Sequence, residues 1–173
     1  MYVTRTKHPA AAMLLGVVAS TGETAPPVWF PQGFRLDAAA YVKVLEKTIV
    51  PWMRAVAAEH GPAGRPAPFV FQQDSAPAHK AKKTLDFLRR EKIPFWPPSM
   101  WPPNSPDLAP LDYGIWPLIS SAACRVRAGS VPIMKRRMNA AWRHADQEKI
   151  RGISRKFRPR LEEMLAKNGS IIE

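Results

Sequence analysis

A single cysteine, Cys124, stands in 173 residues. It excludes a disulfide within the chain and fits a reducing compartment. Lying in an expected helix, it reads as a buried structural thiol rather than a nucleophile. There is no Cys-x-x-Cys pair, and the four histidines are scattered, so the usual zinc sites are excluded. No Gly-x-Ser-x-Gly elbow occurs, and Asp74, Ser75 and His79 are too close in sequence to converge as a hydrolase triad. Acids are scarce, with 14 Asp and Glu against 26 Lys and Arg. The resulting charge of +12 and pI near 10.4 point to a polyanionic partner, above all nucleic acid. A basic surface without a partner, or one that meets acidic lipid, is the alternative. Residues 113–173 carry +8 of that charge. No apolar run is long enough to span a bilayer, since the run from Ala10 to Ser20 is far below 20 residues. With Arg5, Lys7 and His8 before it, that run has the outline of a signal peptide. The turn-like Ser20-Thr21-Gly22-Glu23-Thr24, leading into Pro27-Val28-Trp29-Phe30, favours a strand instead.

Proline, by contrast, is abundant, with 19 residues gathered mainly over 94–117 and in short turns. At 46% hydrophobic and 23% charged, the chain has the make-up of one globular domain over 1–173. Residues 12–20 and 27–31 read as an antiparallel pair. Asp37 is placed to cap a helix over 38–58 whose apolar face is Tyr41, Leu45, Ile49, Met53 and Val56, with Pro51 kinking or dividing it. Ala67 to Gln73 reads as a buried strand, Pro77 to Arg90 as a helix, and Ile93 to Trp96 as a further strand. Six prolines between Pro97 and Pro110 force a stiff, extended loop. A helix over Asp112 to Arg125 follows. Ser130 is expected to cap another, carrying Met134, Met138, Ala141 and Ala145, and a last one over 154–168 stops at Gly169. This order is α/β, with functional groups expected at the C-terminal ends of the strands.

Two carboxylates fall at such places. Asp74 ends the Phe69–Gln73 run, and Asp112 opens a helix after the proline-stiffened loop, 38 positions later. Hard oxygen donors on rigid elements suit Mg²⁺ or Mn²⁺. Two such ions about 3.5–4 Å apart activate water and stabilise the leaving oxygen of a phosphodiester. Each acid also has an ordinary reading: Asp112 as a helix N-cap, Asp74 as the start of a turn. Asp107 reads as a loop-fixing residue. His79 either borders the acids or packs against the next loop. The tryptophans, Trp96, Trp101 and Trp116 among them, read as packing before base stacking. Lys135-Arg136-Arg137 and the basic run from Arg155 to Arg160 read as phosphate contacts once the net charge is considered.

Phe71-Gln72-Gln73-Asp74-Ser75-Ala76-Pro77-Ala78-His79 resembles the second-acid motif of the mariner-type transposases, members of the DDE/DDD superfamily. Trp101 to Trp116, with Ser105-Pro106-Asp107-Leu108-Ala109-Pro110-Leu111-Asp112-Tyr113 within it, resembles the third-acid motif. His8 to Val18 is similar to the family's second core strand, and Phe157 to Gly169 to its C-terminal end. The resemblance implies an RNase H-like mixed sheet flanked by helices, lacking the first central strand. It implies Asp74 and Asp112 as catalytic metal ligands, with Asp107 outside catalysis. It further implies Mg²⁺ or Mn²⁺ as cofactor, DNA as partner, a homodimer or a full-length transposase as a further partner, no membrane, and the nucleus as location. The family's first aspartate lies upstream of the segment that matches His8, so it and the helix-turn-helix part are expected to be absent. Glu23, Asp37, Glu46 and Glu59, the acids before Asp74, do not take its place. Three functions are therefore weighed: metal-dependent DNA strand cleavage and transfer, a non-catalytic DNA- or partner-binding remnant, and a fragment without a role. The expectation is a partial catalytic domain, inactive by itself.

Overall fold

The structure is a computed structural model that describes residues 12–102, 105–124 and 130–169. Within these residues the fold is α/β and rich in helix. β1 (Met13–Leu15) and β2 (Val28–Phe30) pair antiparallel, with Leu14 opposite Trp29. They are shorter than expected, although a bridge between Val18 and Thr24 extends the hairpin toward its turn. Gly22 supplies the positive φ of 110° there. The part of the expected signal or strand segment before Ala12, namely Arg5, Lys7, His8 and their neighbours, lies outside the described residues.

Asp37 caps α1 (Ala38–Val44) as expected, accepting from the Ala40 N–H at 2.8 Å. The run expected as one helix over 38–58 is divided just before Pro51, as one of the two expected outcomes had it. It widens there into a π-helical turn over Leu45–Ile49 and runs on as α2 (Val50–His60). A proline in a regular α-helix removes one N–H and drives its ring into the carbonyl four residues back. A wider turn just before it relieves both. The same device recurs with another proline, where a π turn over Leu111–Ile115 leads to α5 (Trp116–Ala123) with Pro117 at its second position. The Asp112 helix therefore begins as a π turn, and its expected end at Arg125 lies outside the described residues; Cys124, expected to be buried, caps α5 and is exposed, because the helix ends there.

The two inner strands expected at 67–73 and 93–96 shrink to one parallel bridge, Phe71 to Phe95. The Phe71 N–H donates to the Pro94 carbonyl at 2.7 Å, and the Trp96 N–H to the Phe71 carbonyl at 3.2 Å. Pro94 and Pro98 lack the N–H groups that would extend this bridge to the carbonyls of residues 69 and 73, so the ladder stops at one bridge. Parallel and antiparallel pairing thus coexist, as a mixed sheet requires, in abbreviated form.

The expected Pro77–Arg90 helix is two, α3 (Pro77–Lys80) and α4 (Lys82–Arg90), divided at the extended Ala81. The break has a definite cause. The Ala78 and His79 carbonyls would continue the helix by accepting from residues 82 and 83. They accept instead from the Thr84 hydroxyl at 2.7 Å and the Gln73 amide at 3.1 Å. Side chains have replaced the helical ladder.

α6 (Val131–Arg143) follows Ser130, which makes no side-chain cap. α7 (Gln147–Arg155), which the sequence reading did not separate, starts at Asp146, whose carboxylate accepts from the Glu148 and Lys149 N–H groups. α8 (Phe157–Ala166) ends at Gly169, whose N–H reaches the Met164 carbonyl at φ +83°. Three apolar cores result. Tyr41, Leu45, Ile49, Met53, Phe87, Leu88 and Ile93 fill the first, and Trp101, Leu108 and Ala109 the second. In the third, Ile115, Ile119, Trp142 and Ile150 pack together, with Val18 of the hairpin and Trp116 against them. Trp142 donates from its indole to the Ala25 carbonyl at 2.7 Å, so the hairpin sits on α6 by a directed bond as well as by apolar burial. Among the described residues no helix is long and apolar enough to cross a membrane.

Candidate metal centre

Asp74 leaves the extended segment after Gln73 and is held by two donors on one oxygen. Its Oδ1 accepts from the Ala76 N–H at 2.9 Å, an Asx turn that leads the chain into α3, and from His79 Nδ1 at 2.6 Å. The turn-starting alternative is therefore real, and it coexists with an exposed carboxylate whose side chain keeps 61% of its accessible surface. The His79 hydrogen bond, then the Ala76 N–H, holds the Asp74 carboxyl below the usual carboxylate range against the opposing effect of partial burial. His79 thus borders the acids, the first of the two places considered for it.

Asp112 is the second residue of the Leu111–Ile115 π turn and is exposed. The N-cap reading fails, because the residue before the turn is Pro110 and no side chain caps it. Its backbone is fixed from two sides. The N–H groups of Asp112 and Tyr113 donate to the Ala109 carbonyl at 2.8 and 3.0 Å. On the other flank, Tyr113 donates its hydroxyl to the Ile153 carbonyl of α7 at 2.8 Å. Gly114 lies so close to Ile153 that a Cβ there would be 2.6 Å from Ile153 Cγ2. Burial, and then the negative charge of Asp74, raises the Asp112 carboxyl above its ordinary value. The two aspartates therefore feel each other's field.

Both aspartates line one cavity of about 960 Å³, and they are the only carboxylates among its described lining residues. Its remaining wall is largely apolar, with Leu15, Val17, Phe30, Met53 and Phe71 contributing. Among the described residues no group of three His, Cys, Asp or Glu converges. Asp107 is set apart from the pair. Its carbonyl accepts from Arg160 Nε at 2.6 Å, and the Arg160 guanidinium lies 4.6 Å from the Tyr113 ring centroid. This ties the proline loop to α8, the loop-fixing role expected of that segment.

Tyr41 and Gln73 were missed as parts of the site. The sequence placed Tyr41 on the apolar face of its helix, and it is indeed buried. A buried tyrosine nonetheless needs a partner for its hydroxyl, which was the available signal. That partner is Gln73 Oε1 at 3.0 Å. The tryptophans pack as expected: Trp101 is buried with Trp96 and Phe157, and Trp116 lies against Trp142 with centroids 5.2 Å apart. Several basic residues serve the fold, Lys135 over the Trp29 ring and Arg151 on the Thr21 carbonyl among them, while Arg136, Arg143, Arg155 and Lys156 are exposed.

No family model matches the chain. Among curated relatives, the transposase of transposable element Tcb1 from Caenorhabditis briggsae is 32% identical over 108 residues, 62% of this chain and 35% of the relative. The Tcb2 transposase of the same species is 34% identical over 95 residues, covering 55% and 30%. The chain thus spans about a third of the length of these relatives. Among solved structures, the catalytic domain of Mos1 mariner transposase superposes with a TM-score of 0.79 at 24% identity, covering 98% of this chain and 80% of that one. The Mos1 mariner paired end complex with Mn gives 0.82 at 22%, covering 99% and 48%.

Proposed function

Taking as premise that this chain is a mariner-type transposase catalytic region, similar in sequence to the Tcb1 and Tcb2 transposases and in fold to the Mos1 catalytic domain, we propose that it serves metal-dependent DNA strand cleavage and transfer. In this reading Asp74 and Asp112 are its metal ligands. The observation that carries the proposal is that both carboxylates line one cavity, close enough for the Asp74 charge to add to burial in raising the Asp112 carboxyl.

The donor set fits a hard divalent cation. Both groups offer oxygen, both are exposed to the cleft, and a cation held by them would offset the Asp74 charge that, after burial, lifts Asp112. Mos1 structures are described with Mn and with Mg, which supports either ion here. A divalent ion so held supplies Lewis-acid stabilisation of phosphate charge and a more acidic bound water. The chain's own part is to hold Asp74 ionised through His79 and the Ala76 N–H, and to fix Asp112 on a turn locked against α7. The exposed arginines of α6 and α7 give the DNA backbone its counter-charge. DNA, a second transposase copy and a nuclear site of action all belong to this proposal.

Two carboxylates without a third hold a divalent ion weakly, so the chain by itself binds Mn²⁺ loosely and does not cleave. The test incubates the purified chain with plasmid DNA and Mn²⁺, alongside a calorimetric Mn²⁺ titration. We expect weak binding that Asp74→Ala and Asp112→Ala each abolish, with no nicking. Nicking lost in both variants would overturn the inactivity and keep the site. Binding indifferent to both substitutions would overturn the site.

A further inference from the structure

Asp74 belongs to a relay that reaches into the first core. His79 Nδ1 faces Asp74 Oδ1 at 2.6 Å, and since that oxygen belongs to an ionised carboxylate, Nδ1 must carry the proton. The imidazole is fixed by two contacts. Its face lies against the Tyr41 ring, with centroids 4.2 Å apart, and the carbonyl of its own residue accepts from Gln73 Nε2 at 3.1 Å. A carbonyl can only accept, so the Gln73 amide is oriented with its nitrogen toward His79. Gln73 Oε1 is then left to accept from the Tyr41 hydroxyl at 3.0 Å. Tyr41 keeps its proton, since burial and then the Asp74 charge oppose its ionisation. Every donor and acceptor in the chain Tyr41–Gln73–His79–Asp74 is accordingly determined, and it starts from a residue only 1% exposed.

The Gln73 strap takes the His79 carbonyl out of the helical ladder where the helix divides at Ala81, as the Thr84 hydroxyl does the Ala78 carbonyl, and so fixes the backbone that carries the imidazole. The Ala76 and His79 bonds to Asp74 both end on Oδ1, which leaves Oδ2 for the cavity shared with Asp112.

We propose that His79 is a positioning residue. Clamped by the Tyr41 ring and the Gln73 strap, it holds Asp74 by Oδ1 so that Oδ2 is presented to a divalent cation in the cleft. This rests on Asp74 being a ligand. Orienting hydrogen bonds of this kind typically cost about 10–100-fold in metal affinity when removed.

The experiment compares wild type, His79→Ala, His79→Asn, Tyr41→Phe and Asp74→Asn in the full chain with two readouts. One is Mn²⁺ affinity from the electron paramagnetic resonance signal of the free ion. The other is hydrogen exchange at the Ala76 amide without metal, since that N–H has its acceptor only while Asp74 is held. His79→Ala should weaken Mn²⁺ at least about 10-fold and speed Ala76 exchange about 10-fold. His79→Asn, whose side-chain N–H takes the place of Nδ1–H, should restore both, and Tyr41→Phe should move both in the direction of His79→Ala by less. Unchanged Ala76 exchange in His79→Ala overturns the positioning role, whatever the metal does. His79→Asn as damaged as His79→Ala overturns it too, because packing and not the hydrogen bond would then matter. If Asp74→Asn binds Mn²⁺ like wild type while Ala76 exchange responds as expected, the metal-ligand reading fails and the clamp on Asp74 stands.

Discussion

Replacing Gly114 by alanine tests how Asp112 is held. The added Cβ would lie 2.6 Å from Ile153 Cγ2, 3.0 Å from Cγ1 and 3.2 Å from Cδ1, well inside ordinary contact distance. Ile153 is packed in the third core, so it cannot swing aside freely. Overpacking of this kind costs about 1–3 kcal/mol. Alanine returns about 0.5–1 kcal/mol through the smaller entropy of its unfolded chain. The net loss should lie between about 0 and 2.5 kcal/mol, centred on about 1 kcal/mol, read as a lower urea midpoint at unchanged slope. Because Tyr113 donates to the Ile153 carbonyl, the displacement should also reach Asp112 and weaken Mn²⁺. Ile153→Ala removes all three clashing atoms. The double variant should therefore be more stable than the sum of the single losses by about 1 kcal/mol or more. Strictly additive losses would refute the lock between this turn and α7.

The two aspartates should respond oppositely to neutralisation in metal-free protein. Asp112 has a raised folded pKa, so its charge penalises the fold increasingly as pH rises past its ordinary 3.8, and Asp112→Asn should stabilise at pH 7 by about 0.5 kcal/mol after solvent screening. Asp74 has a depressed folded pKa, so its contribution is present above 3.8 and lost as pH falls through the folded value; Asp74→Asn should lower the Tm at pH 7 and flatten that acid limb. Identical Tm shifts in the two variants would contradict this. Thr84 is fully buried and donates to the Ala78 carbonyl, so Thr84→Val should cost about 1–3 kcal/mol in urea unfolding by orphaning that carbonyl. A loss under about 0.5 kcal/mol would show that the break at Ala81 does not depend on it.

The helices were legible where local chemistry decides. Asp37 caps α1, and Tyr41, Leu45, Ile49 and Met53 line its buried face as the periodicity requires. The inner strands were not legible, because an apolar run such as Phe69-Val70-Phe71 signals burial but not hydrogen-bond partners. Flanking prolines then limit it to a single bridge. At Pro51 the expected division of the helix was legible, but not its form, a π turn over Leu45–Ile49. The helix break at Ala81 accompanies Gln73 and Thr84 each reaching a carbonyl six residues away in sequence, a choice no propensity encodes. At the site, Asp74, Asp112 and the border position of His79 could be read from motif and spacing. Tyr41 could not, because its hydroxyl meets Gln73 from 32 positions away. Sequence pattern thus named the acids, and only the fold supplied what orients them.

The account's central claim is that Asp74 and Asp112 serve one cation. Titrating Mn²⁺ at a small fraction of protein concentration and following amide NMR signals tests it most directly. Signals of Ser75 and Ala76 should broaden in step with those of Tyr113 and Gly114, and Asp74→Asn should abolish both effects. Broadening at one aspartate alone, or persisting at Asp112 in Asp74→Asn, would contradict a shared site.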